Sequence, residues 1–166
     1  MENLWAPWRM EYIGKGDKPA GCIFCPYVEN ADPELLVYAD DLVTVRMNKY
    51  PYSNAHLLVA PVSHVASLAH LHVNESLALI TMVTQSVEIL QRTFNPEGFN
   101  VGLNLGRAAG AGVADHLHFH IVPRWNGDTN FMTVTADVRV IPEHILTTAQ
   151  RLKPLFDELE NDNHPF

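Results

Sequence analysis

The stretch from Asp115 to Trp125, DHLHFHIVPRW, sets His116, His118 and His120 at every second position, with Leu117, Phe119 and Ile121 in the alternate places. A period of two is the repeat of a β-strand, where residues two apart lie about 6.6 to 6.8 Å from each other on one face. Leu117, Phe119 and Ile121 therefore anchor the segment in a core, and three imidazoles share the opposite side. A core has no use for such a row. Three readings compete. The plainest is chance recurrence on a solvated face, which three histidines in five positions disfavour; the other two are chemical. Histidines two apart on a strand can grip a metal ion together with a third ligand. Alternatively, an imidazole with an ordinary pKa of about 6.5 is largely neutral at pH 7 and can act as a nucleophile toward phosphorus or as an acid or base.

The surrounding residues favour the third reading. Phe99, Val101, Leu103 and Leu105 alternate with Asn100, Gly102, Asn104 and Gly106, so a second strand precedes the histidines, joined to them by GRAAGAGVAD. Paired as neighbours, the two strands present one aliphatic and aromatic face and one face of Asn, Gly and His. Glycine lets backbone N–H groups approach a phosphate closely. Gly110 and Gly112 lie in that connection, Arg107 and Arg124 flank it, and Asn100 and Asn104 share the polar face. Each of these residues has an ordinary structural use, and it is their convergence that points to a phosphate.

The rest of the chain supplies the frame. The 166 residues, 47% of them apolar and 18% charged, suit one soluble globular domain. A formal charge of -8 argues against a nucleic-acid polymer as partner but leaves room for a small anion held by a few local groups. No apolar run approaches a membrane span of about 20 residues. The start lacks the basic-then-apolar order of a signal peptide, so the cytoplasm is the expected location.

Residues 1–20, rich in Trp, Pro and Gly, are expected to form an arm that packs Trp5 and Trp8 against the body, and residues 21–166 a single domain. LLVYADDLVTVRMN predicts a half-buried hairpin about Asp40 and Asp41, and AHLLVAP a central strand ended by Pro61. Ser63 is expected to cap a short helix holding His64. A long amphipathic helix follows, capped by Asn74, stopped by Asn95 and Pro96, and striped by Leu77, Ile80, Val83, Val87, Leu90 and Phe94. A last helix is expected to begin at Pro142 and break near Pro154. Cys22 and Cys25, in GCIFCP, read as half of a tetrahedral metal site, as a redox pair, or as two ordinary thiols; CPYVENADPELL is a poor helix start for the redox reading.

Taken together, His-Leu-His-Phe-His-Ile-Val, NVGLNLGRAAGAGVADHLHFHIVPRWNGDTNFM, CIFC and MNKYPYSNAHLLVAPVSH resemble the histidine-triad superfamily, in its branch related to diadenosine tetraphosphate phosphorylases. The resemblance runs from about Trp5 to Met132. It implies an α+β fold: a half-barrel antiparallel sheet with one long and one or two shorter packed helices, usually assembled as a homodimer. It implies attack on the α-phosphorus of a nucleotide, here a dinucleoside polyphosphate, by His118 to form a nucleotidyl-histidine. His120 would contact the phosphate and the leaving side, His116 would orient its neighbour, and His56 would be a further active-site histidine. Asn48 would bind the ribose hydroxyls, with Asn104 and the Arg107, Gly110 and Gly112 loop at the phosphates.

In zinc-containing members of the superfamily, a structural zinc is held by the residues that match Cys22, Cys25, His64 and His116. One departure stands out. Many hydrolases of the superfamily carry Gln or Ser three or four residues before the first triad histidine, where this chain has Gly112 and Val113. That suits an acceptor or leaving group with its own bulk, as in a phosphorylase, and weighs against the phosphoramidate hydrolases. A phosphoramidate hydrolase and a non-catalytic nucleotide-binding module are the alternatives.

Overall fold

The computed structural model describes residues 21–25, 32–128 and 141–161. The expected arm at residues 1–20 lies outside them. The described residues form a five-stranded antiparallel sheet in the order β1-β2-β3-β5-β4 with two helices, an α+β architecture. The strands are β1 (Leu36–Ala39), β2 (Val43–Met47), β3 (Leu57–Pro61), β4 (Gly98–Leu103) and β5 (Phe119–Arg124). Helix α1 spans Val73–Phe94 and α2 spans Ile145–Asn161. The AHLLVAP segment is the central strand β3, paired to β2 on one side and β5 on the other.

The two faces of the sheet divide the residues as strand alternation requires. Val43, Val45, Met47, Leu57, Val59 and Ile121 face the helices in one core with Leu79, Met82, Ile89, Leu90, Leu152 and Phe156. The other face carries Thr44, Arg46, Leu58, Ala60, His118 and His120.

The hairpin from β1 to β2 is turned by Asp40, whose carboxylate accepts from the amides of Leu42 and Val43 at 2.7 Å each. Its expected half-burial fails, because every residue of β2 is buried. Thr44 and Arg46 point away from the core yet are covered on that second face, and the Arg46 guanidinium donates to the Asp32 carbonyl at 2.6 Å.

Other expected boundaries shift. Strand β5 begins at Phe119, so His116 and His118 lie in the extended lead-in and only His120 is in the strand proper. Its far end includes Pro123, beyond the last β3 pair at Leu57 and Ile121, where proline's missing N–H leaves no central ladder bond unmade. Ser67, not Ser63, caps a short 3-10 turn (Leu68–His70), while the Ser63 hydroxyl donates to the Glu75 carboxylate.

Helix α1 starts with His72 as cap, its amide donating to Glu75 at 2.7 Å, in place of Asn74. The C-terminal stop is as expected, with Asn95 in the left-handed region at φ 45°. The buried stripe is rotated, however. Leu79, Met82, Val83, Ser86, Ile89 and Leu90 face the core, whereas Leu77 and Ile80 are 67% and 51% exposed. Both stripes satisfy the three-four spacing, so periodicity could not choose between them; contact with the sheet does, with small Ser86 fully buried.

Helix α2 begins at Ile145 and continues through Pro154. Pro154 lies on the exposed side, where water can satisfy the Gln150 carbonyl that it strands. Ala149, Leu152 and Phe156 on the other side are fully buried and hold the helix against the sheet.

Candidate functional site

The polar face of β3 and β5 collects the histidines, and neighbouring atoms determine what each ring nitrogen can do. His116 is 1% exposed, and its Nε2–H donates to the Pro61 carbonyl at 2.7 Å. That leaves Nδ1 as a lone-pair nitrogen. It lies 3.2 Å from Cys22 Sγ, 3.8 Å from Cys25 Sγ and 3.3 Å from His64 Nδ1, and the latter is 3.2 Å from Cys25 Sγ. All four donor atoms fall within 4.8 Å of one another.

A zinc ion with sulfur at about 2.3 Å and nitrogen at about 2.0 Å in tetrahedral array separates two nitrogens by about 3.3 Å and a nitrogen and a sulfur by about 3.5 Å. The four side chains match that shell, and the carbonyl behind His116 is the kind of outer partner that fixes a ligating imidazole. The Cys22–Cys25 segment is a tight knuckle, closed by the Cys25 amide on the Cys22 carbonyl at 3.0 Å. Burial pushes the Cys22 thiol up to about 11, so a thiolate there calls for a nearby cation. Burial also lowers His116 to about 4, keeping it neutral and able to ligate.

The three imidazoles of the row do not converge on one ion. His118 Nδ1–H donates to the main-chain carbonyl of His116 at 2.9 Å, and no described residue engages its Nε2. Burial lowers its pKa below the ordinary value, so the ring is neutral and Nε2 carries a lone pair.

His120 is set by a chain of bonds that starts on a backbone donor. The Tyr52 amide can only donate, and it meets His56 Nδ1 at 3.1 Å, with the Asn48 side-chain amide at 3.2 Å. His56 therefore carries its proton on Nε2, and this N–H donates to His120 Nδ1 at 3.0 Å. The proton of His120 then sits on Nε2, which is buried with no partner among the described residues. A buried donor left unpaired is costly, and it marks where an acceptor is to be received. Burial lowers His120 to about 4, with the neighbouring His118 adding to the effect.

The remaining expected site residues divide. Asn48 follows β2 and both ends of its side chain are engaged, the amide with His56 and the oxygen with the Tyr50 amide at 3.0 Å. Asn104 is half-buried just beyond β4, and Arg107 opens an exposed 3-10 turn (Arg107–Ala109). Gly110, at φ 88°, closes that turn with its own amide on the Arg107 carbonyl at 2.9 Å, so that amide is committed. The Gly112 amide has no such partner among the described residues.

Arg124, read from the sequence as a phosphate candidate, is clamped by Asp128 at 2.5 and 2.9 Å and by Asn100 at 2.8 Å. These residues satisfy one another beside a shallow cleft of about 420 Å³ that also includes Glu97 and Trp125, at the far end of β4 and β5 from the histidine row. Sequence reasoning missed Tyr52 and Phe24, whose rings pack on His56 and His118 respectively. An aromatic four residues before a histidine, as Tyr52 is, or one between two cysteines, as Phe24 is, is too common a signal to have singled them out.

This fold, with its row of alternating histidines, defines a histidine-triad protein. The family model described as HIT domain matches residues 29–127, and the chain belongs to that family. It is 38% identical over 161 residues to a Mycobacterium tuberculosis protein named AP-4-A phosphorylase, covering 92% of this chain and 83% of that one. It is 31% identical over 131 residues to an adenosine 5'-monophosphoramidase of Schizosaccharomyces pombe, covering 79% and 95%. Among solved structures, a zinc-bound histidine triad family protein from Mycobacterium smegmatis superposes with a TM-score of 0.66 at 23% identity, over 87% of this chain and 99% of that one. Among the described residues, no helix is long and apolar enough to cross a membrane.

Proposed function

We propose that the protein cleaves dinucleoside polyphosphates at an α-phosphate through a covalent nucleotidyl-histidine on His118. It is a HIT-family nucleotide hydrolase or phosphorylase. The observation that carries the covalent reading is the pairing of a neutral His118, whose Nδ1 is pinned to a carbonyl, with a neighbouring His120 that carries its proton on Nε2, neither Nε2 having a partner among the described residues. The ring centroids of the two lie 5.0 Å apart.

In this mechanism the His118 Nε2 lone pair forms a bond to the α-phosphorus, and the bond from that phosphorus to the bridging oxygen breaks. The His120 Nε2–H stabilises charge on the phosphoryl and leaving oxygens, relayed through His56 from the Tyr52 amide. Asn104, Arg107 and the Gly112 amide receive the polyphosphate, and Asn48 the ribose. The acceptor then takes the nucleotidyl group and frees His118. The relative named AP-4-A phosphorylase favours inorganic phosphate as that acceptor.

Cys22, Cys25, His64 and His116 hold a structural zinc, which when bound cross-links the knuckle to the histidine strand. A second copy of the chain completes the assembly, covering exposed Val101 on the open edge strand β4 and exposed Leu77 and Ile80 on α1.

Incubation with diadenosine tetraphosphate, with and without inorganic phosphate, tests the proposal. ADP and ATP formed only with phosphate identify phosphorolysis; AMP and ATP identify hydrolysis. His118→Ala abolishes both while a non-cleavable analogue still binds. Turnover by His118→Ala at near wild-type rate would exclude the covalent route.

A further inference from the structure

The Cys22–Cys25 knuckle carries a residue that neither metal binding nor phosphate chemistry requires. Phe24 is 2% exposed and packs with Leu58 and Ala60 on the histidine-bearing face of β3. Its ring stacks on His118, with centroids 4.7 Å apart and planes at 27°, and leans on His116 at 5.2 Å. A single hydrogen bond at Nδ1 fixes one atom of the His118 ring but leaves the ring free to pivot about it. A flat neighbour across the ring face removes that freedom, and a nucleophile must be held to within a fraction of an ångström.

We propose that Phe24 is a positioning residue for His118, and that the knuckle therefore acts on the nucleophile by two routes. One route runs through His116, whose ring joins the four-ligand cluster and whose carbonyl holds His118 Nδ1. The other runs through Phe24, held between Cys22 and Cys25, whose ring sets the plane of the imidazole and the direction of Nε2. The inference rests on the reading of His118 as the nucleophile.

The test uses Phe24→Leu and Phe24→Tyr in zinc-loaded protein, with three readouts: steady-state kinetics on diadenosine tetraphosphate, zinc content, and the long-range proton–nitrogen spectrum of the His118 ring. In Phe24→Leu, kcat falls roughly ten- to hundredfold, as a misplacement on the order of 1 Å would cause, with KM changed by no more than about twofold. Zinc content stays at the wild-type value, and the His118 ring keeps its Nδ1–H form while its Nε2 and carbon-bound proton signals shift and broaden as the ring pivots about that bond. Phe24→Tyr, which keeps the ring, recovers most of kcat.

Wild-type kcat in Phe24→Leu overturns the proposal, as does a loss confined to KM, which would make Phe24 a substrate contact. Loss of zinc from Phe24→Leu also overturns it, by making the residue a support of the knuckle alone. The ring spectrum needs no turnover. A failure of the nucleophile reading, seen as activity in His118→Ala, is thus distinguishable from a failure of the Phe24 assignment.

Discussion

His116 and His120 stand two residues to either side of His118 on one face of the sheet, and the fold gives them opposite chemistry. In His116 the Nε2–H is tied to a buried carbonyl and the free lone pair points at two sulfurs and a third imidazole. In His120 the lone-pair nitrogen is tied to His56 and the free atom is an N–H with no described residue to receive it. The atom that occupies the other ring nitrogen decides whether an imidazole is a ligand or a donor. The amino acid alone does not.

The comparison breaks most visibly on the His116 side. Replacing Cys22 and Cys25 together with Ala removes both thiolates, and the zinc content of purified protein should fall to background. Stability should fall by roughly 3 to 5 kcal/mol, which for a chain of this size lowers Tm by about 10 °C. Calorimetry beside elemental analysis checks both. An unchanged Tm would show that the four side chains do not tie the knuckle to the sheet.

On the His120 side the effect should be kinetic. His120→Asn can keep an acceptor for the His56 Nε2–H but loses the donor at the Nε2 position. We expect kcat to fall by about 10²- to 10³-fold, the loss that follows removal of one preorganised donor. Tm and zinc content should stay close to wild type. If the variant instead loses zinc or melts early, the two histidines do not divide their work as described.

The division between the two was only partly legible in the sequence. Alternation at residues 116–121 is enough to place three imidazoles opposite Leu117, Phe119 and Ile121, because strand geometry follows from period two. The resemblance to the histidine-triad superfamily supplied the four side chains, Cys22, Cys25, His64 and His116, that the structure brings within 4.8 Å of one another. What the letters could not show is the state of each ring, because it depends on groups distant in the chain: the Pro61 carbonyl for His116 and the Tyr52 amide, by way of His56, for His120. The same limit explains the rotated face of α1. Leu77 and Leu79 fit equally good stripes, and only packing against a sheet assembled from remote segments selects Leu79. The local cost of Pro154 predicts a break, whereas the burial of Leu152 and Phe156 that offsets it is tertiary.

Acid offers a finer probe of the His120 side. Burial holds the pKa of His120 at about 4 and that of His118 below its ordinary value, so both are neutral in the fold. In the unfolded chain they take up protons near pH 6.5. Between these limits the unfolded state binds more protons, so stability is fully present above about pH 6.5 and declines as pH falls toward 4. Chemical denaturation at stepped pH should show that decline, and the acid limb of kcat/KM should lie below 6.5, since His118 must lose its neutral form before attack fails. The Cys22 and Cys25 double variant, which leaves His118 and His120 in place, should retain this decline, and His120→Asn should lose the part that belongs to His120. If acid leaves the double variant's stability flat, burial of His120 is not what keeps it neutral.

The smallest expected effect concerns the space that His120 faces. Gly102 on β4 is paired with His120 on β5, and a Cβ at Gly102 would meet nothing within 4 Å. The strand can therefore accept a side chain without strain, and its backbone gains from losing a glycine, by about 0.5 to 1 kcal/mol. The same side chain would stand on the polar face beside the His120 Nε2–H, which has no partner among the described residues. If the polyphosphate passes there, Gly102→Val should raise KM for diadenosine tetraphosphate about fivefold, close to 1 kcal/mol of binding, with kcat held and Tm level or slightly raised. An unaltered KM in the Gly102→Val protein would place the substrate away from Gly102, on the far side of His118 toward the Gly112 loop.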